Sequence, residues 1–491
     1  MLASNHASTP RTNRLLPQEV RQIQFVSPAQ QDAVHDLVDQ FTLPPQLLRN
    51  IKDRFITEMH KGLLSDGETL AMVPSHVKGR LDGSETGSYL TLDVGGTNLR
   101  VASVQLEGQG RLTTVQKKYT IDESLKRREA KHLFVDEHAI VVPQTSEIEL
   151  GFTFSFPVRQ TSIDSGVLIS WTKGFDAPGL VGKDPAEFLR NAFQRRNMPI
   201  RVAGMLNDTV GTGSNGAYIE KMKRVLKWDE PITDPEFDNE MIINMEFGAF
   251  DRERTILPLT MHDNKVDRKS LNPGTQLFEK MIAGMYLGEI TRNILLNLID
   301  RRLLFVDRDP GLLSKCWSFD TAHMSTIEAD GSPDLTETRL ILESVLGVGA
   351  RISNETRNTK LEEVSTIVDR QIVKLIVGLV GRRAARLSAI ALASILQQQG
   401  YCQLWEAESE GGAKEEDEAR KTIVVGVCGS LYQFYPDFEE DIYEGLEDIL
   451  SGDSGTDGLC SRRAEVRKYV RMELEESGST VGAALCAMLA K

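Results

Sequence analysis

The chain has 491 residues, 40% of them apolar and 26% charged, with a formal net charge of −14 at pH 7. Such a length supports two or more lobes with sizeable cores, and the composition is that of an ordinary globular protein. The acidic balance argues against nucleic acid or an anionic membrane surface as a main partner. Residues 1–18 hold arginine and serine but no acid, as transit peptides do. Pro10 and the sparse apolar residues fit a disordered tail better. Over residues 29–63, Val34, Leu37, Val38 and Phe41, then Ile51, Phe55, Met59 and Leu63, recur at three- and four-residue steps. That spacing predicts two helices, separated at Pro44-Pro45. A polar, glycine-bearing stretch, Ser75–Gly87, leads to the first predicted strand.

That strand is Tyr89–Val94, followed by Gly95-Gly96-Thr97-Asn98-Leu99-Arg100 and a second strand, Val101–Leu106. Two glycines let backbone amides approach a phosphate and form an anion-binding nest. Asp93 at the strand end suits a metal-bound water, and Arg100 adds positive charge. No helix follows directly, so this is neither a Walker loop nor a Rossmann fingerprint. A Gly-Gly hairpin turn has the same letters.

Phe152–Val158 reads as an apolar strand with Ser155 at its centre; a serine filling a tight spot reads equally well. Lys173 follows Trp171-Thr172 and precedes a glycine, so it is either a solvated loop lysine or a cation aimed at a ligand. Ile200–Leu206 is apolar, β-branched and of strand length. It leads into Asn207-Asp208-Thr209 and the small-residue run Val210–Ala217. A carboxylate at the end of a buried strand is where α/β folds place reacting groups. The plainer alternative makes Asp208 the N-cap of a following helix. Glu246 falls inside an otherwise apolar predicted strand, Met241–Phe250, and a buried carboxylate needs partners or it neutralises. Glu279 falls on a predicted helix opened by Pro273-Gly274, where a surface position is the alternative.

Residues 282–305 and 363–397 read as long helices, the second with an apolar face that includes Ile372, Leu375 and Leu379. Tyr401–Ala419 is polar and reads as a surface loop. Thr422–Tyr432 reads as a buried strand and a glycine turn at Gly429-Ser430. Gly478-Ser479 precedes the last helix, whose N-terminus suits a nucleotide's phosphate or ribose; a simple helix start is the alternative. Cys316, Cys402, Cys428, Cys460 and Cys486 contain no Cys-x-x-Cys pair. They give neither a disulfide framework nor a zinc pattern and suit a reducing cytosol. No apolar run approaches membrane-spanning length.

The stretch Leu92–Val101 resembles the first phosphate loop of hexokinases. Leu150–Val158 and Trp171–Phe175 resemble the sugar-site signatures of that family. Asn207-Asp208-Thr209 is similar to the segment with its catalytic aspartate, and Asn244–Phe250, Leu271–Met281 and Met285–Ile290 are similar to three further blocks. The resemblance runs from about residue 30 to the C-terminus and is strongest to the single-unit fungal type. It implies a two-lobed α/β fold of the actin-like ATPase (ribonuclease H-like) class. Residues 1–80 with 207–470 would form the large lobe, and 81–206 with 471–491 the small one. It implies ATP-dependent phosphorylation of the 6-hydroxyl of a hexose, glucose above all, as the first step of glycolysis in the cytoplasm. A mitochondria-associated position is the alternative.

The resemblance makes Asp208 the base and Lys173 the cation on the transferred phosphoryl group. Ser155, Thr172, Asn207, Asn215, Glu246 and Glu279 would bind the sugar. Asp93, Gly95, Gly96, Thr97, Asn98, Arg100, Thr209, Gly429, Ser430, Gly478 and Ser479 would face the nucleotide, whose Mg2+ is held through ATP rather than by a dedicated protein site. Three departures stand out. Cys428 and Ser477 replace acidic residues usual near the nucleotide. The segment 130–149 is short. Between Asp208-Thr209 and Gly213-Ser214-Asn215, about twenty residues are absent, the length of one mean helix plus a strand and turn. The absent strand would lie centrally in the large lobe's sheet, so its loss leaves neighbouring strands without backbone partners. A hexokinase-like regulator or sugar sensor is therefore the competing expectation. An actin- or chaperone-like ATPase is a third, against which the sugar signatures argue.

Overall fold

The computed structural model describes residues 18–78, 81–95, 98–122, 124–129, 147–156, 158–169, 171, 175–207, 214–229, 239–349, 364–402, 422–451, 466–475 and 478–490. The expected N-terminal tail, the short segment before residue 147 and the polar loop after Cys402 lie outside them.

The first elements are α1 (Gln18–Gln22), α2 (Pro28–Phe41), α3 (Pro45–Leu64), β1 (Val73–Lys78), β2 (Thr86–Val94), β3 (Asn98–Gly108) and β4 (Arg111–Thr120). Next come β5 (Ile148–Phe154), β6 (Val158–Ser162), β7 (Ser165–Leu168), α4 (Pro185–Arg195), β8 (Ile200–Asn207), β9 (Ala217–Lys221) and β10 (Glu240–Asn244). A helical stretch follows: α5 (Met261–Lys269), α6 (Leu277–Ile282), α7 (Gly284–Asp300), α8 (Thr321–Ala329), α9 (Thr336–Leu340) and α10 (Ile367–Gln398). The last elements are β11 (Ile423–Val427), α11 (Ser430–Phe434), α12 (Phe438–Leu450), α13 (Val466–Tyr469), β12 (Val470–Leu474) and α14 (Gly478–Leu489).

Two compact units result: residues 1–43 with 288–383, and residues 44–287 with 384–491. In the first, Pro28 opens α2 behind Ser27, whose hydroxyl accepts from the Gln30 amide. The helix buries Val34, Leu37, Val38 and Phe41. Arg383, 1% exposed, lies 4.2 Å from the Phe41 ring centre. The Lys374 ammonium closes the end of α8 by donating to the carbonyls of Ile327, Glu328 and Asp330.

The second unit carries a five-stranded sheet of order β4-β3-β2-β5-β8. β2, β5 and β8 run parallel; β3 and β4 are antiparallel additions. One face holds a core of Phe152, Phe154, Phe156, Phe175 and Leu189. Across the sheet runs α14, close enough that a Cβ on Gly151 would meet the Ala483 carbonyl oxygen at 1.9 Å. Only glycine permits that approach. A separate sheet has the order β1-β10-β9, and a third pairs β11 with β12 in parallel.

Several expectations need correction. Val73–Lys78, within and just before the stretch expected as a polar lead-in, is a strand. Its pairing with β10 holds it there, and His76 at φ 60 interrupts the register. Ser155 is not central in a strand: β5 ends at Phe154. Glu246 likewise lies past β10, in the left-handed region at φ 53, where it opens the 3-10 turn Phe247–Ala249. The helix of Glu279 begins at Leu277, not at Pro273-Gly274. No residue of β11 is buried, and Val424 is 51% exposed, against the expectation of a buried strand. Parallel apolar strands are normally covered on both faces and flanked on both edges. Here β12 is the one partner of β11 among the described residues, and β1-β10-β9 forms a separate sheet.

Candidate functional site

Three parallel strands end together. Register pairs Val94 of β2 with Phe154 of β5, and Phe154 with Asn207 of β8. Asp93, Ser155 and Asn207 therefore occupy one carboxyl edge, the place where open α/β sheets bind ligands. Asp208 and Thr209 follow Asn207 directly but lie outside the described residues, as do Gly96, Thr97, Thr172 and Lys173. When the described chain resumes at Ser214 it leads into β9, and the N-cap alternative for Asp208 lies outside the described residues.

At the end of β2, β2 and β3 form a hairpin. The Gly95 amide donates to the Asn98 carbonyl at 2.9 Å. Asp93 is 4% exposed and accepts from the Arg100 guanidinium at 2.9 Å, the two being register partners. The described residues thus form a hairpin with a cation beside the Asp93 carboxylate. The Ser155 amide donates to the Val94 carbonyl at 3.1 Å, extending the β2–β5 pairing past the strand end. Behind it, the rings of Phe156 and Trp171 meet edge-on at 4.9 Å, and Trp171 stacks on Phe175 at 5.4 Å. The Trp171 indole donates to the Ala177 carbonyl at 2.7 Å. These anchors fix both flanks of the Thr172-Lys173 segment.

β11 and β12 also end side by side, since the Glu475 amide donates to the Val427 carbonyl. Gly429-Ser430 and Gly478-Ser479 therefore leave the same end of one parallel pair. The Thr153 hydroxyl, beside Asp93 in register, lies 3.4 Å from the Ser479 carbonyl. This links the last helix to the Asp93 turn. Ser479 lies in the first turn of α14, not before it.

On the other side, polar groups converge beside Gly248. The Asn215 amide donates to Asn244 Oδ1 at 2.8 Å, and Asn244 Nδ2 donates to Glu246 Oε1 at 2.9 Å. A Cβ on Gly248 would meet Gln276 Oε1 at 2.7 Å and Glu279 Oε2 at 3.0 Å. Phe55, Phe250 and Phe278 pack behind this point, with ring centres 4.9–6.1 Å apart. Gln276, in the left-handed region at φ 52, buries its Oε1 with no hydrogen-bond partner among the described residues. A buried amide oxygen without such a partner, beside the Glu279 carboxylate, makes Gln276 a candidate ligand-binding group that sequence reasoning missed. Its signal was the polar residue just ahead of the apolar helix start, three before Glu279. Burial, and then the Glu279 charge, push the neighbouring Tyr286 hydroxyl up to about 12.

Beneath lies a cavity of about 230 Å3, lined by Phe154, Met205, Leu206, Ala217, Asn244 and Cys486 among others. Leu206 and Ala217 line it on either side of residues 208–213, which lie outside the described ones. Burial pushes the Cys486 thiol up to about 12, which leaves it unreactive at neutral pH.

Residues 208–489 match one family model described as hexokinase, and residues 33–218 match another. The chain is 34% identical to hexokinase-1 of Saccharomyces cerevisiae, over 94% of this chain and 92% of that one. The chain belongs to the hexokinase family. It is also 33% identical to the glucokinase of Aspergillus niger, over 95% of this chain and 98% of that one. Among solved structures it superposes on the hexokinase from Schistosoma mansoni complexed with glucose with a TM-score of 0.73 and 29% identity, covering 93% of this chain and 99% of that one. The fold is thus that of the hexokinases, and the enzyme class is that of kinases which transfer phosphate to a sugar. The two family models overlap at residues 208–218. No helix among the described residues is long and apolar enough to cross a membrane.

Proposed function

We propose that this chain binds a hexose, glucose first, and transfers the γ-phosphate of ATP to its 6-hydroxyl, at a rate held down by the short junction after Asp208. The observation that carries the sugar assignment is the convergence of Asn215, Glu246, Gln276 and Glu279 about Asn244 and Gly248. Sugar hydroxyls, each a donor and an acceptor, match such groups.

In this reading Asp208 accepts the 6-hydroxyl proton as that oxygen attacks the γ-phosphorus and the bond to ADP breaks. A carboxylate is far less basic than an alkoxide, so positioning contributes more than basicity. Lys173 neutralises charge on the transferred group. Ser155, Thr172 and Asn207 complete the sugar site. Gly95, Gly96, Thr97, Asn98, Arg100 and Thr209 face the phosphates, while Gly429, Ser430, Gly478 and Ser479 face the nucleoside side. Magnesium, when bound with ATP, offsets phosphate charge. The single buried carboxylate of Asp93 suits it, since Mg2+ is usually held by one or two carboxylates, phosphates and water. The lobes would run as residues 81–206 with 471–491 and residues 1–80 with 207–470. Cys316, Cys402, Cys428 and Cys486 are free thiols, which supports a reducing, cytosolic setting.

The separate sheets and the exposed β11 favour a second reading, a sugar-binding protein of low turnover with a sensing role. Glucose titration with coupled ADP release tests both. Glucose-dependent turnover supports the kinase, glucose binding without turnover supports the sensor, and sugar-independent ADP release contradicts both.

A further inference from the structure

We propose that Asn244 is a positioning residue for sugar recognition, whose amide fixes the donor and acceptor polarity of Asn215 and Glu246. The inference rests on the hexose reading above. Asn244 ends the central strand of its sheet, opposite Val73 of β1 and Ala217 of β9, so its backbone is held on both sides. It is 7% exposed. A carboxylate can only accept, so the nitrogen of Asn244 must face Glu246. Its oxygen is thereby turned to Asn215, which must offer its own nitrogen. The Asn215 oxygen in turn accepts from the Gly216 amide at 2.8 Å. One polarity therefore runs from the Gly216 backbone through two side-chain amides to Glu246. What reaches a sugar is the second N–H of Asn215 as donor and the Glu246 carboxylate as acceptor. That pair suits a hydroxyl or two adjacent ones, and neither residue is assigned to ATP. Asn244 itself need not touch the sugar.

The near-isosteric change Asn244→Asp reverses one end of the chain: it still accepts from Asn215 but sets an acceptor against Glu246. Isothermal titration of the purified full chain with glucose, and separately with ATP, reads the consequence. Glucose affinity should fall about tenfold or more, at the low end of the cost of a mispaired buried polar group, while ATP affinity stays within about twofold. In a Glu246→Gln background the Gln nitrogen can turn to donate to the new carboxylate. There the same Asn244→Asp change should cost less than about twofold, a coupling that a merely structural role does not produce. Equal losses in the two backgrounds, or an equal loss for ATP, overturn the proposal. If Asn244→Asp does not fold, Asn244→Ala and Asn215→Ala replace it, alone and together. The double variant should then lose no more than about twofold beyond the worse single one, and additive losses overturn the proposal. A native chain that gives no glucose heat sinks the hexose reading and this inference with it. Glucose binding with equal losses in both backgrounds sinks the inference alone.

Discussion

Lys280 Nζ lies 2.7 Å from Asp267 Oδ1, with both side chains about 5% exposed or less. Lys280 also donates to the carbonyls of Asn272 and Thr275, each at 2.8 Å. Asp267 accepts from the Gly274 amide at 2.9 Å and from Arg254. The pair thus pins the loop that ends in Gln276 and Glu279. Breaking a buried pair leaves one charge uncompensated. Lys280→Met should destabilise the chain by about 3 kcal/mol, the low end for such losses, because Arg254 still faces Asp267. Chemical denaturation measures it. Glucose affinity should fall with it, since Glu279 sits on the same turn of helix.

The same pair sets an acid limit. Burial opposes ionisation of Asp267, but the donors from Lys280, Gly274 and Arg254 together hold its carboxyl below the usual carboxylate range. A group whose pKa is lowered on folding contributes its full stability above the unfolded value. The contribution is lost as pH falls through the folded value. Asp267 should therefore stabilise the chain fully at neutral pH and cease to do so only below about pH 4. Asp267→Asn should flatten the stability–pH curve in that acid range. An unchanged curve contradicts the assignment.

Asp208→Ala should remove phosphoryl transfer by about a hundredfold or more, the lower end for a general base, and spare most glucose binding. The other hydroxyls keep their partners. Near-normal turnover in that variant would take Asp208 out of its role.

Glu246→Gln should weaken hexose binding more than ATP binding. Glu246, two residues before Gly248, accepts from Asn244, whereas the turn expected to face the nucleotide is built around Asp93 and Arg100. Separate titrations decide it, and equal losses for the two ligands contradict the placement.

The strands that carry the candidate site were legible because they are apolar and lead into small-residue segments. Tyr89–Val94 and Ile200–Leu206 carry that pattern, and both are strands. Ser155 and Glu246 were misplaced for one shared reason. Apolarity over Phe152–Val158 and Met241–Phe250 reports burial, not extension. Met245 is 0% exposed and Phe247 8% exposed, yet both lie beyond the strand. A carboxylate at positive φ in a buried 3-10 turn has no simple sequence signature. β1 escaped notice because Ser75, His76 and Lys78 are polar, and its pairing with β10 comes from the fold. Gln276 was passed over because its role depends on a left-handed backbone that places its oxygen against Gly248. The exposure of β11 was not legible because burial of an apolar strand depends on which other strands flank it, and β12 is its one partner among the described residues.

That exposure is measurable. Val424 is 51% exposed on β11, so Val424→Ser should change stability by less than about 0.5 kcal/mol, as surface changes do. In a chain given back a central strand, the same change should cost about 1.5 kcal/mol or more, the worth of a buried valine. Urea unfolding of the four proteins compares the two costs, and equal costs contradict the absent-strand account.

The junction after Asp208 is tested by glucose-dependent ADP release and thermal melting of two purified proteins. One is the 491-residue chain; the other carries about twenty family-like residues inserted after Thr212, one mean helix plus a strand and turn. The inserted strand would support the turn that holds Asn207 and Asp208. A catalytic group misplaced by about 1 Å costs about a hundredfold in rate. The longer form should therefore turn over about a hundredfold faster and melt higher. Equal turnover and equal melting would mean that the short junction is harmless and does not limit the enzyme.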